Sequence, residues 1–299
     1  MPNDNCFILK QLEVPRRTAD AVLDTDTFNE IDDQFALAYF MRSPERITPR
    51  AIYAAPFFNS HSSSPEDGME KSYDEILNIL SLCGRDDFIP NVFKGSKNYL
   101  PDEKTASASP AASDLAARAM NYTPDNPLYV LAIGAITNIA SAILLNPEII
   151  SRIVVVWLGG NSHDICWPEF NMMQDIAAAR VIFNSTVPFV QLPCCGVVSH
   201  LTTTGPELRF HLEGKSKIGD YLCKLTCKEV GDTGHVWSRV IWDISVVAWM
   251  LGLAADRVTA APLPSYDNGY VFNGSRHFMK YVYWLNRDEV FKDLFAKLF

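Results

Sequence analysis

The chain has 299 residues, 48% of them hydrophobic and 20% charged, proportions that fit a globular protein with a substantial core. A formal net charge of −9 excludes attraction to polyanions, so neither nucleic acid nor an acidic membrane surface is an expected partner. No apolar run reaches the ~18 residues of a membrane-spanning helix, and the start of the chain lacks the basic-then-apolar pattern of a secretory leader.

Apolar runs of strand length then alternate with helix-like patterns. Strands are expected over 21–23, 51–55, 128–133, 153–158 and 189–192, with helices over 31–41, 71–82, 111–120, 136–145 and 175–184. Several strand runs are continuously apolar, as in strands buried on both faces of a parallel sheet. Residues 59–68 form a polar loop and 101–110 an exposed connection. Beyond residue 201, helices are expected over 206–212, 218–227 and 236–251, then a strand over 281–284, and Asn286 caps a last helix over 287–298. The expected fold is α/β: a single domain over 1–299 with a mainly parallel open sheet, helices on both faces and a Rossmann-like core. Such sheets bind ligands beyond the carboxyl ends of their strands, so the 24–33 loop and the Gly134 turn should meet at one edge. Seven cysteines, at 6, 83, 166, 194, 195, 223 and 227, have no paired Cys-x-x-Cys spacing for zinc. They read as reduced thiols, and a cytoplasmic location is expected.

The chemistry concentrates at the first strand end, where Asp24, Asp26, Asp32 and Asp33 crowd together. Mutual repulsion makes such crowding costly unless a positive charge sits among the carboxylates. Hard divalent cations, calcium or magnesium, take oxygen ligands of this kind. A helix start favours acidic residues by itself, which accounts for Asp32 or Asp33 but not for all four.

Asp24-x-Asp26 followed by Asp32-Asp33 and an Ala-Leu-Ala helix resembles the amino-terminal signature of the inosine-uridine preferring nucleoside hydrolases, usually Asp-x-Asp-Pro-Gly-x-Asp-Asp. Here Thr27-Phe28-Asn29-Glu30-Ile31 stands in place of Pro-Gly-x, two residues longer. Three further segments match in order: Gly134-Ala135-Ile136-Thr137-Asn138-Ile139-Ala140; Gly159-Gly160 with Glu169-Phe170-Asn171 and Asp175; and Trp242-Asp243, where the family has His-Asp. The resemblance implies a calcium ion held by Asp26, Asp33, the carbonyl of Ile133 and Asp243, with Asp24 behind them orienting the loop. It further implies that Asp26 is the general base, taking a proton from a calcium-bound water that attacks the anomeric carbon. Asp32, Glu169, Asn171 and Asn59 match ribose ligands, although the residues before Asn59 depart from the usual Gly-Gly. The implied reaction is hydrolysis of a small-molecule nucleoside to ribose and free base, by a homo-dimer or homo-tetramer.

Trp242 is the main departure, because an indole N–H is no acid for a leaving base. Its ring can instead stack on a nucleobase, or simply pack in the core. His163, His200 and His235 lie near matched segments, but a lone histidine is more often structural. The longer 27–31 loop puts Asn29 and Glu30 beside the metal site, where they reach a ribose 5′ substituent or an unusual base. Two rival readings remain at this level. Leu23-Asp24-Thr25-Asp26-Thr27 resembles the Asp-x-Asp-x-Thr loop of haloacid dehalogenase-type phosphatases, with Asp24 as nucleophile and magnesium as cofactor. The other is a ribosyl-ligand binding protein that has lost catalysis along with the acid.

Overall fold

Strands that are apolar on both faces must lie where helices cover both sides, and that requirement sets the middle of the sheet. The computed structural model describes residues 3–231 and 235–299; Met1 and Pro2, within the segment examined for a leader, lie outside them. Its strands in chain order are β1 (Ala19–Thr25), β2 (Ile47–Ala54), β3 (Val92–Lys94), β4 (Leu128–Ala132), β5 (Ile153–Leu158) and β6 (Phe189–Leu192). Then come β7 (Thr202–Thr203), β8 (Arg239–Val240), β9 (Ala254–Ala260), β10 (Leu263–Pro264), β11 (Tyr270–Val271) and β12 (Phe278–Leu285). One sheet runs β3-β2-β1-β4-β5-β6-β12-β9. Its pairings are parallel except the last, where β9 runs antiparallel to β12. β10–β11 and β7–β8 form separate antiparallel pairs. The wholly buried strands β4, β5 and β6 lie inside the sheet, as the unbroken apolar runs of β4 and β5 require; β6 carries one polar residue, Gln191.

The chain builds outward from β1 through β2 to β3, then returns to the other side of β1 with β4. The strand order therefore reverses between β1 and β4, and a crevice opens there beyond the carboxyl ends. Two helices close it from the side. Asp32–Met41 is buried along its whole length and packs against Ile244–Met250, which is equally enclosed. Beyond their first turns both are apolar all round, as helices of an interior must be, and this pairing carries residue 243 to the end of β1.

The five strands and five helices expected before residue 192 are all present, several of them longer than their apolar runs. The helix expected from 71 begins at Pro65, because Ser64 accepts from the amide of Asp67 and a proline occupies the first turn. Asn286 caps Arg287–Leu298 through the amides of Asp288 and Glu289, as its position implied. The helix expected over 236–251 is instead Ile244–Met250, preceded by β8. Val236, Trp237, Val240, Ile241 and Trp242 are β-branched or aromatic, and extended backbone suits them better. Among elements not anticipated are the helix Asn5–Gln11, β3, β9 and the hairpin β10–β11. No described helix is long and apolar enough to cross a membrane.

Asn138, on the helix Thr137–Leu145, fastens the crevice end of the sheet. Its Nδ2 donates to Asp24 Oδ1 at 2.8 Å and to the Ala54 carbonyl at 3.3 Å. Its Oδ1 accepts from Ser96 N at 2.8 Å and from Ser96 Oγ at 3.1 Å. The side chain thus ties β1, β2 and the loop after β3 at a point closed to solvent. Replacing Asn138 by alanine leaves several buried groups without partners. We expect a loss of about 3 kcal/mol, read as a lower urea midpoint at unchanged slope; an unchanged midpoint would refute the clamp.

Candidate active site

β1 ends in Asp24 and Thr25, and the chain then turns, with Asn29 N donating to the Asp26 carbonyl at 2.7 Å. From β4 the backbone continues to Ile133, whose amide donates to the Asp24 carbonyl at 2.9 Å. A Cβ on Gly134 would lie 2.8 Å from Asp26 Oδ1, so only glycine lets this turn approach the carboxylate. The indole of Trp157 holds the turn by donating to the Gly134 carbonyl at 3.0 Å. The two segments expected to share an edge do so.

Asp24, Asp26, Asp32, Asp33 and Asp243 are all buried at this edge. Carboxylate oxygens of Asp32, Asp33 and Asp243 lie within 4.8 Å of one another. Asp33 is central: Thr25 Oγ1 donates to it at 2.6 Å, and it is within hydrogen-bonding reach of Asp26 and Asp243. Burial pushes its pKa up to about 7, and that of Asp24 up to about 8 against the opposing effect of Asn138. Asp26, Asp32 and Asp243 are held well above the ordinary carboxylate range by burial first and by neighbouring carboxylates second. Neither oxygen of Asp26, nor Oδ1 of Asp32, nor Oδ2 of Asp24 has a hydrogen-bond partner, although all are shut from solvent. Enclosed anionic oxygens without donors are the condition that a hard divalent cation relieves, and an all-oxygen donor set suits calcium.

The opposite wall comes from the segment after β5. Glu169 caps the helix Phe170–Gln174, with Oε1 accepting from Asn171 N at 2.9 Å and Oε2 from Met172 N at 2.9 Å. Oε2 also accepts from Gly160 N at 2.6 Å, and burial raises the pKa despite these bonds. Asn171 Nδ2 donates to the carbonyls of Ile133 and Leu158, both at 3.0 Å. The Ile133 carbonyl keeps a second lone pair, so this bond is compatible with an ion beside it. Trp242 lines the cleft half-buried, its amide donating to Asp32 Oδ2 at 3.1 Å.

The cleft, of about 220 Å³, collects Asp32, Asp33, Asp243, Ile133, Glu169, Asn171 and Trp242. Asp26 lies beneath its floor rather than in its lining, and Asp24 lies behind with Asn138. Asn59 does not line the cleft; its Nδ2 donates to Asn29 Oδ1 at 2.6 Å, so it supports a residue that does. Asn29 and Glu30 of the longer loop do line it. Asn161, Cys194 and Cys195 also line it and were not singled out. The position of Asn161 directly after Gly159-Gly160 was the available signal, whereas nothing local marked the cysteines. Among the described residues no histidine, lysine or arginine lines the cleft. His163 contacts Gln191, and His200 stacks on Trp284. A phosphoryl-transfer loop normally needs a cation other than its metal to neutralise charge, and this lining offers none.

Comparison with known proteins agrees with this geometry. The family described as inosine-uridine preferring nucleoside hydrolase matches residues 21–252. A pyrimidine-specific ribonucleoside hydrolase of Citrobacter koseri is 28% identical over 184 residues, covering 53% of this chain and 55% of that protein. The matched region thus spans about half the length of that curated relative. Among solved structures, a plant nucleoside hydrolase superposes with a TM-score of 0.75 at 18% identity, covering 95% of this chain and 99% of the other. A purine-preferring ribonucleoside hydrolase from Gardnerella vaginalis superposes with a TM-score of 0.76 at 19% identity, covering 93% and 98%. At such identities the superpositions speak for the fold, an α/β domain with a mostly parallel central sheet. With the match extending from β1 through Asp243, the chain belongs to the inosine-uridine preferring nucleoside hydrolase family.

Proposed function

We propose that the protein hydrolyses the N-glycosidic bond of ribonucleosides, giving ribose and free base, with a calcium ion at the aspartate cluster. The observation that carries this reading is the convergence of Asp32, Asp33 and Asp243 in a cleft walled by Glu169, Asn171 and Trp242, with Asp26 beneath them. Family membership and the names of its relatives support the same reaction class. Asp33, Asp243, Asp26 and the Ile133 carbonyl would hold the ion, and Asp32 belongs to the same cluster. When bound, calcium supplies positive charge that lowers the pKa of nearby water and orients ribose hydroxyls.

Asp26 acts as general base. Its oxygens accept no hydrogen bond from the protein, which leaves them free to take the proton of the water that attacks the anomeric carbon. The glycosidic electron pair leaves with the base as the ring acquires oxocarbenium character, and Asp32, Glu169 and Asn171 grip the sugar hydroxyls. Trp242 presents a ring to the departing base, while solvent delivers the proton that a histidine would otherwise supply. A ribosyl-binding protein without turnover is the second reading, favoured by tryptophan at position 242.

Purified protein incubated with a nucleoside panel should release reducing sugar, and a chelator should stop it. Asp26→Ala should lower turnover by about a thousandfold or more with an unchanged circular dichroism spectrum. Ligand-induced stabilisation without release of base would instead select the binding reading. Trp242→Ala should cost about tenfold to a hundredfold in kcat/KM on purine nucleosides; unchanged turnover removes the stacking role.

The buried carboxylates also fix a pH dependence. Their folded pKa values are raised, to about 7 for Asp33 and about 8 for Asp24. The native state thus holds protons that the unfolded chain releases above the ordinary carboxylate range. Without a cation, stability falls as pH rises through those values. An ion displaces the protons, so its stabilising effect grows over the same interval. The difference in melting temperature between calcium and chelator should be small near pH 5 and about 5 °C or more near pH 8; a difference that shrinks as pH rises would contradict the assigned ligands.

A further inference from the structure

The turn Gly159-Gly160-Asn161 carries one cleft residue, Asn161, and touches another, Glu169, through the bond from Gly160 N at 2.6 Å. Gly160 has φ +74°, and a Cβ there would lie 2.0 Å from the Tyr270 hydroxyl. The turn is thus moulded against Tyr270, which belongs to the hairpin β10–β11 and lies beyond the family match over residues 21–252.

Gln191, on β6, joins the parts. Its side chain is fully buried, and every polar atom of it has a partner. Nε2 donates to the Gly159 carbonyl at 3.0 Å and to the Tyr270 hydroxyl at 2.9 Å. Oε1 pairs with His163 Nε2 at 2.9 Å. The Gly159 carbonyl can only accept, which fixes the amide orientation and makes His163 Nε2 the protonated nitrogen. The Tyr270 hydroxyl in turn donates to the Asn161 carbonyl at 3.4 Å. His163 is packed against the rings of Tyr270 and Tyr281, with centroids 4.8 and 4.4 Å away. A buried amide with this many bonds has one orientation, and so has the turn it holds.

We propose that Tyr270 and Gln191 are positioning residues for the cleft, acting through the Gly159–Asn161 turn on Asn161 and Glu169. Neither touches the cleft itself. This inference rests on the proposed hydrolase reading for its kinetic consequence but not for its structural one.

The test uses Tyr270→Phe in the full chain, which keeps the ring and removes the hydroxyl, with Tyr283→Phe, an exposed tyrosine of β12, as control. Hydrogen exchange at the Gly160 amide should quicken by about tenfold in Tyr270→Phe, while the β1 and β4 amides stay unchanged. On a nucleoside that the unaltered protein hydrolyses, kcat/KM should fall about tenfold in Tyr270→Phe. Against a Glu169→Gln background the same change should cost less than about threefold, because the two act along one path. Tyr283→Phe should leave kcat/KM unchanged. Unaltered exchange at Gly160 overturns the proposal whatever the activity. Equal losses in both backgrounds also overturn it, since a merely structural role is additive. If no nucleoside is hydrolysed at all, the functional reading fails, and exchange at Gly160 alone decides the positioning role.

Discussion

Five aspartates buried at one sheet edge, with little positive charge among them, are the constraint on which the rest of the structure depends. Arg239 is the side chain whose charge offsets the repulsion at Asp32, and it is already paired with Glu30 and Glu229. Anionic groups in so enclosed a place either hold protons or hold a metal. The fold keeps them enclosed because the helices Asp32–Met41 and Ile244–Met250 are, beyond their first turns, apolar on every side and can only pack inward. Core packing therefore assembles the charged cluster, and the cluster's charge is left for something outside the chain to balance.

The supports of this cluster are polar and specific. Asn138 ties Asp24 to β2 and to the loop after β3, and Thr25 steadies Asp33. Gly134 gives Asp26 its room, and Trp157 holds that glycine's carbonyl. On the far wall, Glu169 is fixed by three backbone amides and Asn171 by two carbonyls. Side chains held by several bonds each lose little freedom when a ligand arrives, which is the physical basis of a preorganised site. Trp242 is the exception, half-buried at the cleft with an apolar face to offer. Position 242 thus offers the cleft an aromatic surface and no acidic side chain.

Much of this was legible in the sequence because it is local. Continuous apolar runs marked β4 and β5, a short and mostly apolar run marked β6, and Asn286 marked the last helix. The acidic cluster after β1 marked the cleft, and the resemblance to nucleoside hydrolases supplied Asp243, which no local pattern would have joined to it. Where signals were short or weak, the reading failed. Three-residue β3 and two-residue β10 and β11 are below the length at which periodicity speaks. The β-branched and aromatic residues of 236–242 carried enough apolar character to be taken for helix.

By itself, then, the sequence determined the five long strand and helix pairs before residue 192 and the acidic cluster Asp24–Asp33, since these follow from residue type and near-neighbour spacing. Only the tertiary structure decided that Asp26 lies under the cleft floor while Asp32 joins Asp33 and Asp243, and that Asn59 sits outside the cleft lining, bonded to Asn29. It alone joined Tyr270 to a turn more than a hundred residues earlier. These are contacts between segments distant along the chain, set by how helices and loops pack over a sheet, and no pattern within a short window encodes them.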